Sequence, residues 1–448
     1  RCVMKGQSAF FKAVCALAVP AALQSMLQSS FSMVDQIMIG QLGAVSVAGV
    51  GLAGKFVSIY SVIVSAVGAV AGIMLAQYLG QEKAAEVRRS FFVNLALAAI
   101  AGLFTAVCAL FPETVMRAYT KDAATRQTAA AYLRCLSGTF LPLAGATLLS
   151  TAFRCAEKAR LPLYASILSA LLNTGLNYVL IFGKLGFPAL GVTGAAIATV
   201  ASQCANVLLM LLMARKDRPL PKAGNSSAAR WSWGAYLAML LPLLVCETGW
   251  SLGENVYAAV YGHMGTAESA AMTLLNPVQG LVIGALCGLS QAAGVIVGKQ
   301  LGRGQREEAY RSAERLLVYG AAGALLLSAA VVLLRGFYVD IYRVDGTVKA
   351  MTRQLLLAYA LVAPCKVLNM ILGGGILRSG GRTKYIMLID TAGTWCLGVP
   401  LALLSAFVWK LPVASVYFIL SLEECFRLGV SLAVFRRRRW MDRLGSAE

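Results

Sequence analysis

The chain has 448 residues, 58% of them hydrophobic and only 13% charged, with a formal net charge of +20. A soluble domain carries about 25% charged residues, and here the basic residues are scattered through short loops, so a soluble enzyme and a nucleic-acid-binding domain are both excluded. Mean hydropathy is +0.71, and apolar runs such as 355–377 and 194–213 are long enough to cross a ~30 Å hydrocarbon core. Such runs define an all-α polytopic membrane protein; they are too long, and alternate too little, for a β-barrel.

Twelve spans are predicted, near residues 10–39, 46–79, 91–111, 128–152, 161–182, 191–214, 234–262, 268–300, 313–334, 350–377, 384–408 and 412–435. Pro20, Pro142, Pro242, Pro364 and Pro400 fall inside them and suit kinks. The first span runs well past the 7–15-residue core of a signal peptide. It also carries Asp35, with no basic residue between Lys12 and Lys55. An ionisable group inside a membrane is costly and faces a partner or a cavity. A carboxylate that is protonated and ionised in turn suits a proton-coupled cycle, and when ionised Asp35 is also the candidate Na+ ligand. The glycines of "GVGLAG" (49–54) lie within the second span and permit close helix contact. Asn173 and Asn177 in the fifth span are i and i+4, on one helical face, and Thr199 in the sixth offers a hydroxyl to the same cluster.

The stretch "ARKDRPLPKAGNSSAARWSW" (214–233) is the longest polar connection. It divides the chain into an N-lobe (1–214), a linker (215–233), a C-lobe (234–436) and a basic tail (437–448). In the seventh span Glu247 and Glu254 are seven apart, hence on one face. Two carboxylates there attract a cationic substrate or share a proton. Lys366 in the tenth span is an internal counter-ion for a C-lobe acid. Arg378 and Arg382 in "RSGGRTK" are assigned to gating or to anchoring, and Asp390 follows in the eleventh span. Glu423 and Arg427 in the twelfth are an i,i+4 ion pair. The tail "FRRRRWMDRL" (435–444) is expected at the inner membrane surface with Trp440 as an interfacial anchor. The eleven cysteines include no CxxC pair and are expected to be packing thiols.

The two halves repeat. A shift of 222 positions lays Pro20 on Pro242, Gly40 on Gly262, Gly43 on Gly265 and Pro142 on Pro364. It also lays "AGIMLAQYLGQEKAAEVRRS" (71–90) on "AGVIVGKQLGRGQREEAYRS" (293–312). Six spans per repeat is an even number, so the repeats are parallel, related by an axis along the membrane normal. Assigning Lys and Arg to the two sides puts the larger share with both termini, which are therefore expected in the cytoplasm. The shift places Tyr257, not an acid, opposite Asp35.

Several stretches together resemble the multidrug and toxic compound extrusion (MATE) transporters, most closely the branch common in Gram-positive bacteria. They are "VDQIMIGQLGAVSVAGVGLA", "QYLGQEKAAEVRRS", "NTGLNYVLIFG…GVTGAAIATVASQ", "LPLLVCETGWSLGENVYAAVYGHMG", "GILRSGGRTKY" and "IDTAGTWCLGVPLA". The resemblance implies twelve helices in two lobes set as a V, with a cavity between them and alternating access. It implies a monomeric bacterial cytoplasmic-membrane antiporter that exports amphipathic, often cationic compounds against H+ or Na+, with no cofactor. It makes Asp35 the N-lobe coupling acid, with Asn173, Asn177 and Thr199 around it, and gives Glu247 and Asp390 coupling or substrate roles in the C-lobe. Glu254 is less typical of the family. Asn177 stands where the family often has aspartate, which weakens the case for Na+, and Arg382 also replaces a usual aspartate. The alternative is a flippase of lipid-linked oligosaccharides from the related superfamily, whose cavity is more cationic. No HExxH, GxSxG or Walker motif points to an enzyme.

Overall fold

The computed structural model describes residues 2–117, 123–222, 231–341 and 345–444. The chain runs through α1 (Cys2–Gly40), α2 (Ala44–Gly80), α3 (Ala84–Ala109), α4 (Pro112–Arg117), α5 (Ala123–Leu136), α6 (Phe140–Cys155), α7 (Arg160–Phe182) and α8 (Gly191–Asp217). It continues through α9 (Trp233–Met264), α10 (Thr266–Gly302), α11 (Arg306–Asp340), α12 (Gly346–Ile371), α13 (Lys384–Thr391), α14 (Val399–Leu403), α15 (Val413–Leu420) and α16 (Leu422–Arg436). Among the described residues, eleven helical stretches are long and apolar enough to cross a membrane. The twelfth expected span, 412–435, is helical but broken at Ser421 into α15 and α16, each too short to count alone.

Helix boundaries repeat with the sequence. Both α2 and α10 have 37 residues, and Ala44–Gly80 and Thr266–Gly302 are 222 positions apart at each end. The turn before each carries a glycine at positive φ, Gly43 (+98°) and Gly265 (+156°), where a side chain would be strained. A 37-residue helix is ~55 Å long, so these helices outrun the hydrocarbon layer.

The described chain forms two compact units. One comprises Arg1–Ala22, Ala76–Glu82 and Arg230–Glu448; the other comprises Leu23–Leu75 and Lys83–Ala229.

In the unit holding Leu23–Leu75, the core gathers Tyr60, Leu133, Met116 and Phe140, all fully buried. The 3-10 turn Ser137–Thr139 interrupts the α5–α6 span. Where α6 resumes, the Phe140 carbonyl accepts a bond from the Tyr60 hydroxyl at 2.9 Å. The same hydroxyl lies 3.0 Å from Ala98 O, so the tyrosine ties α2 to α3 and α6.

In the other unit, α12 passes into a π-helical segment (Leu372–Ile376) and a 3-10 turn (Leu377–Gly380), and α13 passes into another π segment (Ala392–Gly398). Widened turns free backbone carbonyls, and Ser290 Oγ supplies a donor to Met370 O at 2.8 Å. The ends of α2 and α10 meet reciprocally: Gly80 abuts the Lys299 backbone, and Gly302 abuts that of Gln77. Gly302 is the repeat partner of Gly80, and Lys299 of Gln77. Neither position has room for a Cβ.

The tail departs from expectation. Trp440 is 0% exposed, stacks on Phe435 at 5.7 Å, and donates through Nε1 to the Phe435 carbonyl. Phe435 in turn stacks on Tyr310 at 4.7 Å, and Arg438 lies 4.1 Å over the Tyr310 ring while pairing with Glu307 at 2.7 Å. Gln77, fully buried, donates to Ser379 O and Asp442 O and accepts from Leu444 N. Trp440 is a core residue rather than an interfacial anchor, because the turn after α16 folds it back under the helix ends.

Candidate functional site

Each unit holds a polar cluster built from the residues expected for it. In the first, α1, α7 and α8 bring Asp35, Asn173, Asn177 and Thr199 together. Asn177 Nδ2 donates to Asp35 Oδ1 and, at 3.2 Å, to Asn173 Oδ1. The spacing i, i+4 does put both amides on one face of α7. The helices stay close because Gln24 of α1 donates to Ser166 Oγ at 2.8 Å and Ser169 of α7 donates to Ser202 O at 2.8 Å.

Asn173 is the pivot. One end of its amide faces Thr199 Oγ1 (3.5 Å) and Ser202 Oγ (3.4 Å); the other lies 2.9 Å from Asp35 Oδ1. Both hydroxyls donate to helix carbonyls, Thr199 to Ala195 O and Ser202 to Thr199 O, which leaves lone pairs toward Asn173. An ionised Asp35 calls for the amide nitrogen on its side; a protonated Asp35 donates to the amide oxygen. The orientation of this one amide therefore decides which charge state of Asp35 the cluster favours. Asn177 is 1% exposed, and among the described residues its Oδ1 has no hydrogen-bond partner, an acceptor available to a cation. Among the described residues no Lys, Arg or His pairs with Asp35. Ser202 was not singled out from sequence; its place three residues after Thr199, on the same helical face, was the available signal.

The second cluster is ionic. Arg427 of α16 lies 2.5 Å from Asp390, 3.7 Å from Glu424 and 4.0 Å from Glu423. The expected Glu423–Arg427 pair is present, yet Asp390 is the closer partner, and Cys246 Sγ donates to its other oxygen at 2.8 Å. Asn369 donates to Glu424 at 2.7 Å and Tyr257 donates to Glu423 at 3.1 Å. Glu247 pairs with Arg378 at 3.4 Å. Arg378 is therefore a half-buried counter-ion from the 3-10 turn after α12, while Arg382 reaches Asp442 of the tail.

These groups line a cavity of about 570 Å³ that includes Cys246, Glu247, Glu254, Lys366, Asp390 and Arg427. A neighbouring cavity of about 230 Å³ shares Glu254, Lys366 and Glu424 with it and adds Tyr257, Tyr261 and Tyr417. Lys366 stands 5.4 Å over the Tyr417 ring, and Gln279 donates to the Tyr417 hydroxyl at 2.5 Å. Among the described residues neither Glu254 nor Lys366 belongs to an ion pair. Together the cavities hold five acids and three bases, an arrangement suited to binding charged solutes, with no nucleophile–base pair of the kind covalent catalysis requires.

Comparison with known proteins agrees with both repeats. The sequence profile of the MatE family matches residues 20–179 and 242–404, while that of the lipid II flippase MurJ matches residues 116–264. The probable multidrug resistance protein NorM of Thermotoga maritima is 24% identical over 436 residues, covering 95% of this chain and 92% of that protein. Multidrug and toxin extrusion protein 1 of Xenopus tropicalis is 27% identical over 430 residues, covering 90% of this chain and 70% of its own. Among solved structures, a MATE protein in complex with MaL6 superposes with a TM-score of 0.86 at 18% identity, covering 95% of this chain and 96% of that one.

Proposed function

The chain belongs to the MatE family, and from that membership we propose that it is a secondary antiporter exporting amphipathic, often cationic organic compounds in exchange for H+ or Na+. It is a multi-pass membrane transporter, not an enzyme. The relatives' names, multidrug resistance and multidrug and toxin extrusion, support export as the direction.

The observation that carries the coupling role is Asp35. Among the described residues it accepts a hydrogen bond from Asn177, with the Asn173 amide 2.9 Å from it and an orphaned acceptor beside it. A lone carboxylate at that depth is stable as the neutral acid or beside a bound cation. Exchange between the two forms is what a coupling site performs, and the turning amide of Asn173 lets the helices stay packed meanwhile. Absence of a second carboxylate at Asn177 favours H+. The C-half cluster receives the organic substrate, with Glu247, Glu254 and Asp390 lining its cavity. A cytoplasmic-membrane location, a monomeric state and cytoplasmic termini complete the reading; the distribution of Lys and Arg supports the last.

Proteoliposomes given a fluorescent cation on the outside test the proposal. An imposed pH or Na+ gradient should drive uptake, and Asp35→Asn should abolish it. The second reading is a flippase of lipid-linked precursors, favoured by the MurJ match at residues 116–264. That match spans only the middle of the chain, and acids outnumber bases in the cavities. If neither gradient moves any cation and a lipid-linked sugar is translocated instead, the flippase reading replaces the antiporter.

A further inference from the structure

One pair of cysteines departs from the packing role expected of them. Cys365 of α12 and Cys425 of α16 are 60 residues apart in sequence, yet their sulfurs lie 3.4 Å from each other. Both are free thiols, and neither lines either cavity. Cys425 is exposed and Cys365 half-buried, so the pair sits on the open flank of the seam between the two helices. Leu361, one turn before Cys365, is exposed as well, and so are Leu422 and Phe426 beside Cys425. The thiols therefore open onto an apolar face.

The same seam is fixed from its cavity side. Asn369, one turn after Cys365, donates to the carbonyl and the carboxylate of Glu424 at 2.8 and 2.7 Å. Glu424 directly precedes Cys425. Two helices bonded at this level hold the sulfurs facing each other, and the dithiol is preorganised.

The chemistry of the pair narrows what it can take. A structural zinc ion wants four ligands, and among the described residues no group of three or more His, Cys, Asp or Glu could hold a metal. Closure to a disulfide would draw the sulfurs to ~2.05 Å and remove two electrons, which requires an oxidant. A trivalent organoarsenical, R–As=O, needs neither extra ligands nor an oxidant. Its arsenic–oxygen bond breaks, two arsenic–sulfur bonds form, and the oxygen leaves as water with both thiol protons. Arsenic stays trivalent, no electron is transferred, and the adduct is neutral, as suits an apolar face.

We propose that Cys365 and Cys425 form a dithiol site for neutral, apolar, trivalent organoarsenicals, which bridge α12 to α16. The inference is independent of what the chain transports. Each sulfur is next in sequence to a residue of the 570 Å³ cavity, Lys366 for one and Glu424 for the other. The bridge therefore fastens two walls of that cavity together from outside.

Phenylarsine oxide is the probe, added in equimolar amount to the purified full-length protein in lipid nanodiscs. A wash with excess β-mercaptoethanol strips arsenic from single thiols, and intact-mass spectrometry reads what remains. The wild type should keep one adduct, its mass gain equal to the reagent less one water, and a dithiol such as dimercaprol should remove it. Cys365→Ala and Cys425→Ala should each lose the adduct, with the chain's other cysteines left in place as controls. In the wild type the adduct should also shield both Cys365 and Cys425 from later N-ethylmaleimide, read by peptide mapping. A wild type that keeps no adduct, an adduct that persists in either folded variant, or shielding of fewer than both thiols overturns the proposal. The mapping decides even if a variant does not fold. Gradient-driven transport is measured apart, and its outcome does not bear on this site.

Discussion

The two polar clusters solve one problem in opposite ways. Around Asp35, a single acid is surrounded by amides and hydroxyls that donate or accept as needed. Around Arg427, acids are held by fixed countercharges at 2.5–4.0 Å. A cluster of rotatable neutral groups tolerates a change of charge at its centre. A network of ion pairs resists one, because removing either partner leaves a buried charge alone. The repeated scaffold therefore carries one cluster with a single acid among neutral groups and one cluster of paired charges.

The sharpest way to break this contrast is Asp35→Asn. Gradient-driven efflux should fall to the level of empty liposomes while the melting temperature holds; normal efflux would make Asp35 a structural acid. Next in size, Arg427→Met should destabilise the protein by about 3–5 kcal/mol, as loss of one member of a buried pair does, read from denaturation in detergent. Adding Asp390→Asn should recover part of that loss, whereas among the described residues no such rescue pair exists for Asp35. If Arg427→Met is neutral, the network is not structural and the comparison collapses. The scaffold common to both halves is probed by Gly302→Ala, whose Cβ would overlap the Gln77 backbone. A forced shift of this kind costs about 1–3 kcal/mol, and Gly80→Ala should cost a similar amount if the contact is reciprocal. Smallest is Ser202→Ala, which removes an acceptor of Asn173 for about 1 kcal/mol. Because it biases the amide toward Asp35, it should also change the pH dependence of efflux, unlike a conservative change in the ionic cluster.

The Asp35 cluster was legible in the sequence because charge is so rare there that one aspartate stands out, and because the i,i+4 rule places Asn173 and Asn177 without knowledge of the fold. Repeat boundaries were equally legible, since a constant offset survives folding unchanged. The ionic cluster was only half legible. Glu247, Glu254 and Asp390 are visible as acids, but nothing local says that Arg378, 131 residues from Glu247, closes a pair with it. Arg427 was assigned to Glu423 by helical spacing, and the long-range partner Asp390 turned out nearer. Trp440 misled for a different reason. A basic run beside a membrane span reads as a surface anchor, and the turn that buries the indole depends on Phe435, Tyr310 and the ends of other helices.

That docked tail bears on how the protein is made. Gln77 is buried among acceptors and donors supplied by Ser379, Asp442 and Leu444, the last of them 367 residues downstream. At ribosomal speeds of about 5–20 residues per second, the amide waits roughly 20–70 s between its own synthesis and that of its final partner. During that interval the end of α2 is an incomplete surface, and the junction closes only after Asp442 and Leu444 have been made. Removal of Asp442 and Leu444 would leave it open permanently, so these two residues set the moment at which this junction closes.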